Sequence, residues 1–175
     1  KLKGLFMKLS ISNIAWDKAD DFAMYTFLQK NGIDGIEIAP SRLFENPYEN
    51  LEQAQLYATM LKNRFNLSVS SMQSIWFGKS GNIFNPDEAK VLSDYTKKAM
   101  DFANAMGIKN LVFGCPRNRT MPEGAKEEDV LEFFYDLGEY AKSKNTVLAL
   151  EANPVIYNTN FMNTSTQAAK IRKKV

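Results

Sequence analysis

Two glutamates lie at or beside the ends of apolar runs that the sequence predicts to be β-strands. Glu151 directly follows the run Thr146–Leu150, and Glu37 lies between two isoleucines. A carboxylate buried at such a position is costly unless a cation, a metal or a substrate hydroxyl lies beside it. Glu151 is therefore a candidate for acid/base chemistry, the alternative being a salt bridge to a neighbouring lysine or arginine. Glu37 is a candidate substrate contact, or else half of a buried ion pair with an arginine such as Arg42.

Amide and indole side chains stand near the ends of the first and third predicted strands. Asn13 and Gln73 could bind a sugar hydroxyl, because an amide offers a donor and an acceptor in one group. They could equally satisfy buried backbone groups. Trp16 and Trp76 could form an apolar wall against a sugar face, or could fill the core. All four are candidate substrate contacts.

A compact cationic loop follows the fourth apolar run. It holds Arg117 and Arg119, and arginine matches phosphate or carboxylate with two parallel hydrogen bonds. Both are candidate substrate contacts, as is Asn153, two positions beyond Glu151. The loop begins at Cys115, which has no histidine to activate it, so we expect its thiol to pack in the core.

The chain of 175 residues contains no histidine, and this removes several classes of chemistry. Ser-His-Asp and Cys-His catalysis and histidine-ligated metal sites are excluded within this polypeptide. A single cysteine excludes an internal disulfide. The net charge of +2 gives no strong field towards nucleic acid or an anionic membrane, and no apolar run is long enough to span a membrane. We expect neither partner and a cytoplasmic location.

Five apolar runs recur along the chain, and a segment with helical spacing follows each of them. The runs, which we predict to be strands, are Leu9–Ile14, Gly35–Ala39, Leu67–Phe77, Asn110–Gly114 and Thr146–Leu150. Strands that alternate with helices of this length indicate βαβ units and a mostly parallel sheet. The near-continuous apolar character of the last two runs is typical of strands covered on both faces. We predict a single α/β domain over residues 1–175.

Local signals predict the limits of two helices. Asn85 is placed as an N-cap with Pro86 at the first helical position, and Gly107 ends the same helix. Thr164 is the expected cap of the last helix.

A barrel and an open sheet are both compatible with this pattern, and a flavodoxin-like sheet of five strands is the structural alternative. A doubly wound nucleotide-binding fold would usually have a glycine-rich turn after the first strand, but residues 13–17 contain no glycine. The candidate residues fall at the carboxyl ends of the predicted strands. In a (β/α)₈ barrel those ends converge on one face, where such enzymes place their active sites. The sequence therefore favours the barrel.

Several segments together resemble the strand ends of the sugar phosphate isomerase/epimerase family, within the xylose-isomerase-like TIM barrel superfamily. The segments are Ser10–Trp16, Gly35–Arg42, Ser71–Gly78, Leu111–Arg119 and Leu148–Pro154. The resemblance extends from Met7 to Ala169. It implies a partial (β/α)₈ TIM barrel, with about five parallel strands alternating with helices, and a small sugar or sugar phosphate as the ligand.

The resemblance also implies a divalent metal, namely manganese, zinc or magnesium. In the family, carboxylates and other ligands at the ends of strands five to eight hold the metal, and a carboxylate pair shuttles a proton beside a carbonyl. The glutamate that ends strand five corresponds to Glu151, which is thus the expected catalytic residue and metal ligand. Strands six to eight are absent from this sequence, since a full barrel typically needs ~250 residues. We therefore expect an incomplete barrel that either self-associates through two open sheet edges or is a truncated piece of a longer protein.

Two other functions stay open at this point. An endonuclease-IV-like DNA repair protein shares the superfamily barrel, but that class relies on several histidines around zinc and on a basic groove. A non-catalytic sugar-binding or assembly module would use the same strand ends without turnover. The preferred hypothesis is an isomerase or epimerase that acts on a sugar or polyol.

Overall fold

Five parallel strands form one sheet in the computed structural model, which describes residues 7–175; the first six residues of the predicted domain lie outside the described part. The strands are β1 Ser10–Ser12, β2 Gly35–Ile38, β3 Ser68–Met72, β4 Asn110–Phe113 and β5 Val147–Leu150. All four pairings are parallel, and the order across the sheet is β1-β2-β3-β4-β5. The predicted alternation of strands and helices is confirmed.

The helices follow the strands in turn. They are α1 Asp21–Lys30, α2 Pro40–Leu43, α3 Leu51–Phe65, α4 Pro86–Met106, α5 Leu131–Ser143 and α6 Ser165–Lys174. The predicted limits of α4 are correct, because Asn85 Oδ1 accepts the backbone N–H groups of Asp87 and Glu88 at 3.1 and 3.3 Å. Gly107 closes that helix with φ +74°. Thr164 caps α6, as expected.

The strand order distinguishes a barrel from a doubly wound sheet. In a flavodoxin-like sheet the chain reverses direction and the order becomes 2-1-3-4-5. Here every crossover moves one strand further in the same direction. Right-handed crossovers of that kind place all helices on one face, and α1 packs on α3, α3 on α4 and α4 on α5. The flavodoxin-like alternative is therefore wrong, and the chain has the architecture of a partial (β/α)₈ barrel.

Side chains of β1 and β3 meet across β2, which shows how strongly the sheet is curved. Ser70 Oγ donates a hydrogen bond to Ser10 Oγ at 3.0 Å. In a flat sheet those two strands would be about 9–10 Å apart, beyond the reach of two serine side chains. The adjacent strands β2 and β3 are also close at Gly35, where a Cβ would lie 2.5 Å from the carbonyl oxygen of Ser68. The inner face is therefore concave and rich in serine.

The opposite face of the sheet carries the hydrophobic core. Ile36, Ile38, Met72, Leu111 and Phe113 are 0% exposed and pack beneath the helices. Among residues 7–175 no helix is both long and apolar enough to cross a bilayer.

Both outer strands of the sheet are partly open. Val147 in β5 is 59% exposed and Leu9, beside β1, is 49% exposed. The expectation that the fifth strand is covered on both faces is wrong, because Val147 is exposed and the other three residues of β5 are only half-buried.

Candidate active site

The first cluster of polar side chains lies at the carboxyl ends of β1, β2 and β3, and we call it the β1–β3 cluster. It consists of Ser12, Glu37, Ser71 and Gln73. Ser71 Oγ donates to Glu37 Oε2 at 2.7 Å, and Gln73 Nε2 donates to Glu37 Oε1 at 3.1 Å. The same Gln73 amide nitrogen lies 2.8 Å from Ser12 Oγ. Both oxygens of the Glu37 carboxylate are thus held by neutral donors.

Glu37 has no cationic partner among the described residues. The alternative of an ion pair with Arg42 is wrong, because Arg42 Nη2 lies 2.8 Å from Asp21 Oδ1 instead. Arg42 belongs to α2 and reaches towards α1, where it also donates to the carbonyl of Trp16. Glu37 therefore remains a half-buried carboxylate that can accept further hydrogen bonds from a ligand.

A second cluster, the β4–β5 cluster, joins Arg119 to Glu151 and Asn153. Arg119 Nη2 donates to the backbone carbonyl of Glu151 at 3.0 Å and to Asn153 Oδ1 at 2.6 Å. The amide of Asn153 then donates through Nδ2 to Glu151 Oε2 at 3.0 Å. No hydrogen bond joins this cluster to the β1–β3 cluster within the described residues. Both clusters nevertheless lie at the same end of one curved sheet.

Glu151 is exposed rather than buried, contrary to the premise on which the sequence singled it out. It follows β5, the outer strand of the sheet, beyond which the described residues place no further strand. Its backbone is fixed all the same, since its N–H donates to the carbonyl of Phe113 in β4 at 3.0 Å. Its carboxylate rests on Gly114, where a Cβ would collide with Oε2. The second oxygen, Oε1, accepts no hydrogen bond from the described residues.

The two arginines of the cationic loop lie in different environments. Arg119 is fully buried, and its Nε and Nη1 groups have no partner among the described residues. Burial lowers the pKa of its guanidinium to about 10. Arg117 is exposed and lines a cleft of about 560 Å³ at the ends of β3 and β4.

Two residues with left-handed backbone also line that cleft. Ser74 has φ +54° and Cys115 has φ +41°. Residues other than glycine adopt such angles at a cost, and they cluster at ligand sites. Burial raises the pKa of the Cys115 thiol to about 12, so it stays protonated near neutral pH and is a poor nucleophile.

Three of the remaining candidates make contacts within the protein. Asn13 is 0% exposed, and its Oδ1 accepts the Ala39 N–H at 2.9 Å. Trp16 donates through Nε1 to Asp21 at 2.8 Å. Trp76 is 3% exposed and donates through Nε1 to Thr96 Oγ1 at 2.8 Å. Their side chains thus serve the packing and backbone roles that the sequence left open as alternatives.

Sequence reasoning missed Ser12, Ser71 and Gly114 as parts of the site. Ser12 and Ser71 both lie opposite Glu37 in the sheet. The β2–β3 register shifts at Glu37, however, so period-two alternation counted from the buried Val69 would have placed Ser71 on the core face. Nothing in the sequence alone indicated that Gly114 leaves space for a glutamate that lies 37 positions later.

The donor set of a divalent metal is incomplete within residues 7–175. A carboxylate such as that of Glu151 suits manganese, magnesium or zinc. Those ions require about four to six ligands. The described residues contain no group of three His, Cys, Asp or Glu side chains placed to hold an ion. They therefore do not form a metal site by themselves.

The fold and the placement of these clusters define the class of protein. A parallel sheet in sequential order, with helices on one face and polar side chains at the carboxyl ends of its strands, is the arrangement of a (β/α)₈-barrel enzyme. The chain belongs to the xylose isomerase-like TIM barrel family, whose model matches residues 25–175. No curated protein matches the chain.

Solved structures with the same fold include two epimerases and a dehydratase. 3-keto-D-glucoside 4-epimerase from E. coli is 18% identical, with a TM-score of 0.71 over 97% of this chain and 64% of that one. D-psicose 3-epimerase from Clostridium cellulolyticum H10, solved with D-tagatose, is 16% identical, with a TM-score of 0.73 over 96% and 60%. The probable 3-DHS dehydratase AsbF from Bacillus anthracis is 15% identical, with a TM-score of 0.68 over 97% and 59%. The chain thus spans 59–64% of the length of these structures.

Proposed function

We propose that this chain carries the sugar-binding face of an isomerase or epimerase, in which Glu151 moves a proton at a carbon beside a carbonyl. One observation carries the proposal. At the carboxyl ends of β2 and β5, a carboxylate is held by a neighbouring amide, Glu37 by Gln73 and Glu151 by Asn153. Each pair offers acceptors and donors to a polyol on the concave side of the sheet.

The β1–β3 cluster is suited to binding hydroxyl groups. Glu37 has acceptor capacity left beyond its two internal hydrogen bonds, and the Ser12 and Ser71 hydroxyls can each accept as well as donate. A sugar presents several neighbouring hydroxyls that need both kinds of partner. The presence of D-tagatose in the structure of D-psicose 3-epimerase supports a ligand of this chemistry.

Glu151 is suited to the proton transfer. Its Oε2 is held by Asn153, whereas Oε1 accepts no hydrogen bond from residues 7–175 and belongs to an exposed side chain. We propose that Oε1 takes a proton from the carbon next to a ketose carbonyl and that the electron pair passes to the carbonyl oxygen as an enediolate. If the proton comes from C3, its return to the other face of C3 gives the C3 epimer. If it comes from C1, its delivery to C2, with transfer of the O1 hydroxyl proton to O2, gives the aldose.

A divalent metal remains a prediction for this protein. Manganese, zinc or magnesium would polarise the carbonyl oxygen when bound. Glu151 is the donor that this chain offers, and further ligands would have to come from outside the described residues. The cytoplasmic location is likewise a prediction.

A sugar-binding module without turnover is the second candidate. The observation that favours it is the lack of a second carboxylate in the β4–β5 cluster, since a two-base epimerisation needs two proton carriers. An endonuclease-like activity has no such support, because the chain contains no histidine.

Deuterium exchange tests the proposal. The full chain is incubated in D₂O with D-fructose or D-tagatose and manganese, and NMR follows loss of the proton beside the carbonyl. We expect exchange for the wild type and for Glu132→Gln, an exposed control on α5, but none for Glu151→Gln. Sugar binding without exchange would favour the module, and the absence of both would refute the proposal.

Calorimetric titration with manganese tests the metal separately. Heat that disappears in Glu151→Gln and persists in Glu132→Gln would support a metal at Glu151. No heat for the wild type would contradict it for this chain.

A further inference from the structure

We infer that Arg119 is a positioning residue for Glu151 and that it acts through Asn153. The inference rests on the proposed role of Glu151 as the proton carrier. It concerns how the carboxylate is oriented, and it assigns Arg119 a role other than the ligand contact that arginine chemistry first suggested.

The hydrogen bonds form a continuous path from the guanidinium to the carboxylate. A side-chain amide can point either end towards a neighbour, and a carboxylate accepts only from the NH₂ end. Arg119 Nη2, at 2.6 Å from Asn153 Oδ1, fixes the oxygen end on its own side. The NH₂ end must then face Glu151, where Nδ2 lies 3.0 Å from Oε2. The same Nη2 holds the Glu151 carbonyl at 3.0 Å.

The burial of Arg119 indicates that its contacts matter for more than packing. Its side chain is 0% exposed, and two of its donor groups have no partner among the described residues. Burying a charged group that is only partly satisfied is costly. A methionine would fill similar space without that cost, but it could not donate to Asn153. The guanidinium therefore orients the Asn153 amide rather than stabilising the fold.

Gly114 limits the carboxylate from the other side. The Glu151 carboxylate occupies the space that a Cβ at Gly114 would take. The side chain is thus held between the end of β4 and the Asn153 amide, and Oε1 is the oxygen that no described residue binds. A carboxylate held in one orientation suits a directed proton transfer, because the rate depends on how well the reacting groups are positioned.

The test combines a spectroscopic signal with kinetics on the full chain. The ¹⁵N–¹H signals of the Asn153 side-chain amide report its bond to Glu151 whether or not the chain turns over sugar. We expect Arg119→Met to shift these signals and to speed their exchange with water, and Arg119→Lys to restore part of the protection. Arg172→Met, at an exposed arginine on α6, should leave them unchanged.

In the sugar exchange assay, we expect Arg119→Met to lower kcat about 10- to 100-fold, with KM changed less than about 2-fold, as for other residues that orient a functional group. Adding Arg119→Met to Asn153→Ala should cost little further activity, because Arg119 is proposed to act through Asn153. An unchanged Asn153 amide in Arg119→Met, or an equal loss in both backgrounds, would overturn the inference. If Arg119→Met does not fold, the kcat values of Arg119→Lys, of Asn153→Ala and of the two changes combined are compared in the same way. If the wild type shows no exchange, the proposed function fails while the amide signals still decide the role of Arg119.

Discussion

The Gln73 amide, just beyond the end of β3, donates a hydrogen bond to Ser12 Oγ at the end of β1, 2.8 Å away and across the intervening β2. It also reaches Glu37 on β2 at 3.1 Å, so one side chain connects the ends of three strands. The bond is possible only because the sheet curves, and it keeps the β1–β3 cluster in one arrangement.

Replacing Gln73 with methionine should destabilise the chain and weaken sugar binding. The change keeps the volume but leaves Glu37 Oε1 and Ser12 Oγ without their donor, at a cost of about 1–3 kcal/mol. Urea unfolding of the variant checks the stability, and Gln29→Met at an exposed position on α1 is the control. Equal unfolding midpoints for the two variants would show that the connection across β2 contributes nothing.

Two glycine-to-alanine changes should affect different properties: one should lower activity and the other should raise stability. Gly114→Ala places a Cβ against the Glu151 carboxylate, so we expect sugar exchange to fall at least about 10-fold. Gly138, within α5, has nothing within 4 Å of its added Cβ, and Gly138→Ala should stabilise the helix by about 0.5–1 kcal/mol. Exchange kinetics measure the effect of Gly114→Ala, and thermal unfolding measures that of Gly138→Ala. Full activity in Gly114→Ala would refute the proposal that the Glu151 carboxylate must lie against Gly114.

The folded chain should lose stability in alkaline solution through the buried Tyr25 and the half-buried Tyr57. Tyr25 and Tyr57 share a hydrogen bond of 2.6 Å between their hydroxyls, and burial raises the pKa of both. Unfolded tyrosines release protons above about pH 10, whereas the folded ones keep theirs. The contribution of the two tyrosines to the free energy of unfolding is therefore complete below about pH 10. It is lost as the pH rises above 10, by up to about 1.4 kcal/mol per pH unit for each tyrosine.

Tyr57→Phe tests this dependence. It should lower stability at pH 8, because Tyr25 loses its partner, but the difference from the wild type should narrow by pH 11. Urea midpoints at both pH values provide the measurement. A constant difference would mean that Tyr57 ionises equally in both states.

Self-association through the sheet edges remains a prediction. Val147 on the outer strand β5 is 59% exposed, and it lines a groove of about 640 Å³ between α5, α6 and β5. Light scattering coupled to size exclusion should give a mass above 19.9 kDa for the wild type. Val147→Lys should shift it towards the monomer, since an edge lysine opposes strand pairing. A monomeric wild type would contradict the prediction.

Local features of the fold were predictable from the sequence, and long-range features were not. Asn85, Pro86 and Gly107 set the limits of α4 through atoms a few residues away, so their types alone indicated the helix. The partners of Arg119 lie 32 and 34 positions along the chain, and its burial depends on how the loop after β4 meets the end of β5. The exposure of Glu151 likewise depends on which strand, if any, covers β5. The site's residue types could thus be proposed, but their environments required the assembled sheet.

The sequential strand order has a consequence for synthesis. Each strand after the first pairs with the one made just before it, so no strand waits for a partner that has not yet been translated. Such nearest-neighbour assembly keeps loop closure short and suits progressive folding as the polypeptide leaves the ribosome. Stalled nascent chains that end after α4 should then already protect β1 to β3 from protease, and complete digestion of those chains would show instead that the sheet forms only as a whole.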